Sequence, residues 1–316
     1  MAVPTSTFQR HQAIGTREDL ADVIYDVSPE DTPFISNVGK ARASNVLHEW
    51  QTDVLASPAS NQQVEGDDAA NNAVTPTVRI GNYAQILSKT VQVSGTLEQV
   101  DAAGRRGEMA YQMARRATEL KKDLEFALVR NQASAAGSAS TARVMGGLES
   151  GISTNISSGT SGSTTAISGA TWTAPTDGTQ RTFSEALVKS VIKDMYTNGG
   201  DPKVAMVGPV SKQNFSGFAG IAANRYMVGD GPGKIVGAAD VYLSDFGETA
   251  IIPSRIQRDR TAFILDPEYA GVAYLRDFQT SDLAKTGDSE RKQIVVEATL
   301  ELRNEKAHGK VADLTV

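Results

Sequence analysis

The sequence predicts an α+β chain with two lobes and a long projecting β-hairpin. Three observations carry this prediction. One amphipathic helix runs over residues 107–131, two alternating stretches flank a polar tip within residues 46–94, and a strand-rich last third follows a helix–strand–helix run. Strands and helices that come in separate runs mark a mixed but segregated architecture. At 316 residues the chain has room for two ordinary domains or one large one.

The first 45 residues read as an arm. Thr16 and Asp19 sit at capping-box positions, and Leu20, Val23, Ile24 and Val27 follow at helical spacing until Ser28-Pro29 ends the helix. Pro33-Phe34-Ile35 then predicts an extended apolar anchor. In residues 46–55, His48, Trp50, Thr52 and Val54 fall on one face of a half-buried strand, opposite Glu49, Gln51 and Asp53. Residues 77–94 predict the returning strand, with Tyr83, Leu87, Val91 and Val93 on one face. The polar segment between them reads as a hairpin tip. Two strands alone are marginal in water, so the apolar face of such a hairpin has to rest on its own core or on another copy of the chain.

The long helix places Met109, Met113, Ala117, Leu120, Leu124 and Leu128 on one stripe and Arg115, Arg116, Glu119, Lys122 and Asp123 opposite. At about 1.5 Å per residue it spans about 37 Å. It is the most basic segment of the chain; with no aromatic interleaving recognised in the sequence, the basic side reads as a solvated face. Residues 145–182 are rich in Gly, Ser and Thr, with scattered Leu148, Ile152, Ile156, Ile167 and Trp172 to pin them, and read as a crossing between lobes. Residues 183–198 predict a second helix buried through Leu187, Val188, Val191, Ile192 and Met195, capped by Ser184 and stopped by Gly199-Gly200. A short buried strand at 203–207 and a helix from Gly208-Pro209 to Phe218 follow. Strands are then expected at 235–244, 249–258, 261–265 and 271–276. A last one alternates Ile294, Val296, Ala298, Leu300 and Leu302 with Val295, Glu297, Thr299, Glu301 and Arg303, a half-buried pattern.

Composition excludes several kinds of chemistry. Cysteine is absent, so there are no disulfides and no thiolate sites, and His11, His48 and His308 form no spaced ligand pair. The net charge of −6 argues against a protein that grips nucleic acid tightly by its phosphates. No apolar run is long enough to cross a membrane and no secretory leader is expected. Gly229 to Lys234 imitates a phosphate loop, but Val228 stands where its first glycine belongs and Ile235 where its hydroxyl belongs. Glu65, Asp67, Asp68, Asn71 and Asn72 lack calcium-loop spacing and read as an acidic tip. Lys285-Thr286-Gly287-Asp288 reads as a turn before a strand. The expectation is a non-enzyme with no catalytic residue, no cofactor and no metal.

Four stretches together resemble the major capsid proteins of tailed phages with the Hong Kong 97-type fold, and within these the family named after the phage SU-ten. They are Asp26-Val27-Ser28-Pro29-Glu30-Asp31-Thr32-Pro33-Phe34; Val93-Ser94-Gly95-Thr96 leading to Glu119-Leu120-Lys121-Lys122-Asp123-Leu124-Glu125; Asn198-Gly199-Gly200-Asp201-Pro202; and Lys285-Thr286-Gly287-Asp288. The resemblance implies an N-terminal arm over 1–45, an extended loop over 46–95, and a peripheral domain with its spine helix and linker over 96–182. It further implies an axial domain over 183–268 and peripheral return strands over 269–316.

The function implied is assembly of an icosahedral shell around double-stranded DNA, in the virion, built in the host bacterial cytoplasm. The implied partners are further copies of the chain in hexamers and pentamers, portal and scaffolding proteins, a decoration protein, and DNA held without sequence recognition; no membrane is involved. A scaffold is expected to be a separate chain or unnecessary, and no covalent crosslink is expected. Trp50, Val54, Tyr83, Leu87 and Phe34 are the candidate intersubunit contacts. Two rival readings are a tail or adhesin-type structural protein, which would carry trimer-forming repeats, and a hydrolase with a hidden carboxylate pair, which would show a defined pocket.

Overall fold

A computed structural model describes residues 28–68, 73–100, 104–218 and 240–315. The arm helix expected over 16–27, the glycine-rich segment at 229–234, and Asn71 and Asn72 lie outside the described residues.

Three sheets organise the described residues. A four-stranded sheet has the order β1 (Gly39–Arg42), β10 (Ala270–Asp282), β11 (Ser289–Leu302) and β4 (Gln85–Ser94). β1 runs parallel to β10, and the other neighbours are antiparallel. Helix α3 (Glu108–Val129) lies across this sheet, and its Leu120, Leu124 and Leu128 share one core with Ile294, Val296, Ala298 and Leu300 of β11. The predicted apolar stripe is thus the buried one. At 22 residues the helix is about 33 Å long.

A six-stranded sheet has the order β5 (Asn155–Ser157), β12 (Gly309–Val311), β9 (Ala262–Leu265), β6 (Val204–Val207), β8 (Gly247–Pro253) and β7 (Val241–Ser244). Alternation along its central strands sends side chains into two different cores. Met206, Phe263 and Leu265 join the core of α3. Ala205, Val207, Ala262 and Ile264 join a second core with Val188, Val191, Ile192 and Met195 of α5 (Glu185–Thr197) and Phe215 of α6 (Pro209–Ser216). β9 is buried at every position for this reason. α5 ends as expected: Gly199 adopts φ +88°, the Gly199 N–H donates to Tyr196 and the Gly200 N–H to Met195, a Schellman closure. Ser184 occupies the N-cap position, but its hydroxyl makes no capping bond.

Two local expectations are corrected. Pro33-Phe34-Ile35 is not extended; it opens the short helix α1 (Pro33–Asn37). The proline supplies a helical φ without needing its missing donor. The N–H groups of Phe34 and Ile35 are accepted by the two oxygens of Glu125 on α3, at 2.7 and 2.9 Å. The expected second hairpin strand, moreover, is two strands. β2 (Leu47–Thr52) pairs with β3 (Val78–Tyr83) alone, in register from Leu47↔Tyr83 to Thr52↔Val78. Buried Ala84 then donates its N–H to Val46, and β4 beyond it pairs with β11 instead.

The half-buried pattern expected for the last strand is also corrected. Glu297, Thr299 and Glu301 are buried along with the apolar set. The reason is ionic. Glu297 receives Arg143 and Arg276, while Glu301 receives His48 and Arg303 at 3.0 Å each. A polar face can be covered when each carboxylate has its partners.

Candidate functional site

The candidate site is the hairpin. Its base is built into the body of the chain. The β4 ladder with β11 stops at Gln85↔Ala298, which leaves the β4 side of Leu300 open, and Asn82 closes it. The Asn82 side-chain amide donates to the carbonyls of Leu300 and Gly146 at 3.1 Å and accepts from the N–H of Gly146 at 2.8 Å. Beside it, His48 on β2 meets Glu301, and its ring lies 5.8 Å from that of Trp50. The His48 bond is the main reason the Glu301 carboxyl titrates below the ordinary range, with Arg303 adding to it and burial opposing.

The tip is built differently. Between residues 53 and 77 every described hydrogen bond stays within the hairpin, as in Thr77 to Gln51 or Asp67 to Val64. Val54, Leu55, Val64 and Val74 are 64, 93, 77 and 93% exposed, and Val78 at the mouth of the ladder is 59% exposed. Exposed aliphatic side chains recurring on one element make that element the candidate contact surface.

The five candidate contact residues separate accordingly. Val54 is at the exposed tip. Trp50, Tyr83 and Leu87 are half-buried at the base, with Trp50 and Leu87 packed against the main core. Phe34 is 1% exposed inside that same core, so its side chain has no surface left for a neighbour. Leu55, Val64 and Val74 were missed by the sequence reading. Their signal was present: isolated aliphatic residues in a segment otherwise free of them.

The buried titratable groups are engaged in structural work. The Glu149 carboxylate accepts from Thr261 at 3.1 Å and pairs with Arg258 at 3.3 Å. Burial pushes its pKa up while Arg258 and Lys310 pull the other way. Lys310, 1% exposed, donates to the Glu149 carbonyl, and burial lowers its pKa to about 8. Asp313 accepts from the N–H groups of Gly159 and Gly178 and from Arg260 at 2.7–2.9 Å. Among the described residues no group of three or more His, Asp or Glu is placed to hold a metal, and no helix is long and apolar enough to cross a membrane.

Comparison with known proteins gives the class first. The capsid asymmetric unit of cyanophage A-1(L) superposes with a TM-score of 0.71 at 10% identity, covering 98% of this chain and 99% of that one. Gordonia phage Cozz follows with a TM-score of 0.63 at 9% identity, covering 99% and 97%. The capsid of a native GTA particle has a TM-score of 0.61 at 10% identity, covering 97% and 98%. The fold is the Hong Kong 97-type fold of phage capsids.

The sequence then gives the family. The model of the SU10 major capsid protein matches residues 3–315, and the chain belongs to that family. It is also similar to the major capsid protein of Escherichia phage Phieco32, 28% identical over 98% of this chain and 97% of that one. The protein is therefore a structural subunit of a tailed-phage capsid shell, assembled from many copies of itself and located in the virion capsid; it is not an enzyme.

Proposed function

We propose that the subunits form hexamers and pentamers that close into an icosahedral shell around double-stranded DNA, with the tip at residues 53–77 laid across the adjacent subunit. On this reading residues 1–45 are the arm, 96–182 with 269–316 the peripheral domain, and 183–268 most of the axial domain around the symmetry axes. The shell is built in the host cytoplasm with portal and scaffolding proteins as further partners, with or without a decoration protein. DNA is held without sequence recognition.

The observation that carries the reading is the tip itself: aliphatic side chains up to 93% exposed on an element whose described hydrogen bonds all stay local. Val54, Leu55, Val64 and Val74 are the proposed apolar contacts, with Trp50, Tyr83 and Leu87 at the base. Each such contact is modest, and a closed lattice adds many of them.

The test replaces residues 55–76 by an Asn-Gly turn. The expected product is a folded, soluble subunit that forms no closed shells in negative-stain electron microscopy, beside wild-type protein that does. Normal shells from the shortened chain would overturn the role of the tip.

A further inference from the structure

We propose that the exposed face of α3 is the surface that meets the packaged DNA, through a stripe of cations and aromatic rings; this rests on the reading above that the shell encloses double-stranded DNA. At 100° per residue Tyr111, Arg115, Lys122, Phe126 and Arg130 fall within an arc of about 100° on the side of the helix away from its buried stripe. The Tyr111 ring lies between two guanidinium groups, Arg105 at 5.3 Å and Arg115 at 5.8 Å, and Arg130 stands 5.1 Å over Phe126. Phe126 is 47% exposed. The alternation of rings and cations that the linear sequence hides is therefore present on the folded helix.

Charge sorting along this face is the second observation. Its acids are already engaged: Asp123 pairs with Lys89 at 2.8 Å, and Glu119 with Arg116 at 2.5 Å. Arg115, Lys122 and Arg130 have no carboxylate within 4.0 Å among the described residues. In a chain of net charge −6, three unneutralised cations in line are a local reversal of sign. Arg115 and Lys122 also line an open groove beside Ser28, Pro29 and Glu30. From Arg115 to Arg130 the stripe runs about 22 Å, the length of about six base pairs. Nothing along it is arranged to read base edges. The contact is to phosphate and sugar, in keeping with DNA of any sequence.

The test is fluorescence anisotropy of the full-length, unassembled subunit with a 20-base-pair duplex. Three phosphate contacts predict an affinity that falls about 40-fold between 50 and 200 mM salt. R115E/K122E/R130E is expected to lower affinity at least about ten-fold and flatten the salt dependence. K40E/R255E/K285E, an equal charge change at exposed positions elsewhere, is expected to stay near wild type. R115Q/K122Q/R130Q repeats the loss without reversing charge, should the first variant misfold. Equal effects of the two glutamate triples, or no effect of either, would overturn the proposal. So would duplex binding that appears only after removal of residues 1–27, or polyglutamate binding where the duplex does not, since either would assign the stripe to an acidic polypeptide. Electron microscopy of the wild-type chain under assembly conditions, with the other head proteins present, separates the two readings. Shells there without duplex binding by the subunit would remove the stripe alone; duplex binding by a chain that never forms shells would remove the assembly reading and, with it, the place of the stripe inside a shell.

Discussion

Residues 145–182 and residues 53–77 are alike in composition, small and polar with scattered apolar side chains, yet the fold treats them in opposite ways. In the first, Leu148, Ile152 and Trp172 are 0–1% exposed in the main core. Trp172 donates its indole N–H to Gly81 at 2.8 Å and lies so close to Gly146 that a Cβ there would stand 2.6 Å from the ring. Asp313 holds Gly159 and Gly178, and Glu305 holds Ser153 and Thr154. In the second, Leu55 and Val74 are 93% exposed and, among the described residues, nothing outside the hairpin bonds to the segment. Composition alone does not decide whether a segment is held. What decides it is whether its few apolar and polar anchors find partners within the same chain.

The sharpest way to break this comparison is Trp172→Ala. Loss of the ring and its hydrogen bond is expected to cost about 3–5 kcal/mol in urea unfolding. A cost under about 1 kcal/mol would mean that the segment is held by something other than its tryptophan.

Acid provides the next effect. His308 is fully buried; its Nδ1 accepts from the Asp266 N–H, its Nε2–H faces the Tyr269 carbonyl, and its own carbonyl receives Asn155 of the pinned segment. Burial lowers its pKa from 6.5 to about 4. The unfolded chain takes up this proton first as pH falls, so stability drops through the window from 6.5 to about 4, by about 1.4 kcal/mol per pH unit at most. Glu125 and Glu149, raised by burial, act with the opposite sign. The difference between wild type and His308→Gln therefore isolates the histidine, and the two stability–pH curves are expected to converge toward pH 4. Parallel curves would contradict this.

Asp313→Asn should cost about 1–3 kcal/mol, because one carboxylate satisfies two backbone donors and an arginine. Burial alone would raise this carboxyl, but Gly159, Arg260 and Gly178 outweigh it and hold it below the ordinary value. Its contribution is thus present at neutral pH and disappears as pH falls through its folded pKa. Hydrogen exchange at Gly159 and Gly178 is the direct readout. Faster exchange there, with no change in residues 53–68, is the expected pattern. The smallest stability change belongs to the tip: Leu55→Ser with Val74→Ser should move the subunit by less than about 0.5 kcal/mol while abolishing shells. A large loss of subunit stability would show that the tip has intramolecular cover after all.

Much of this fold was legible in the sequence. The stripe from Met109 to Leu128, the stop at Gly199-Gly200 and the alternation of His48, Trp50 and Thr52 each express a local period or a local backbone rule, and such rules need no tertiary knowledge. The failures have tertiary causes. Pro33-Phe34-Ile35 is helical because Glu125, about 90 residues away, accepts its first N–H groups. Residues 77–94 read as one strand, since nothing local at Ala84 announces that the pairing partner changes there. Glu297 and Glu301 read as solvent-facing because Arg143 and Arg276, which pair with the first, and His48, which meets the second, are distant in sequence; only Arg303 is close to its partner. At the hairpin, the period placed Val54 on a half-buried strand, whereas the strand ends at Thr52 and Val54 is exposed; the apolar tip beyond it was hidden in a segment judged by its polarity. Phe34 was misplaced because an exposed anchor and a buried one look the same in one dimension.

The joint at Ala84 also has a mechanical meaning. A single buried residue connects the paired strand of the hairpin to β4, which is registered with β11 at ten positions. A pull transmitted along β4 would load those rungs side by side in shear, where they share the force, instead of opening them one at a time like a zipper. Asn82 and the His48–Glu301 pair sit where the strain would concentrate. On the proposed reading the hairpin is a tether with a reinforced root, suited to carry tension between neighbouring subunits.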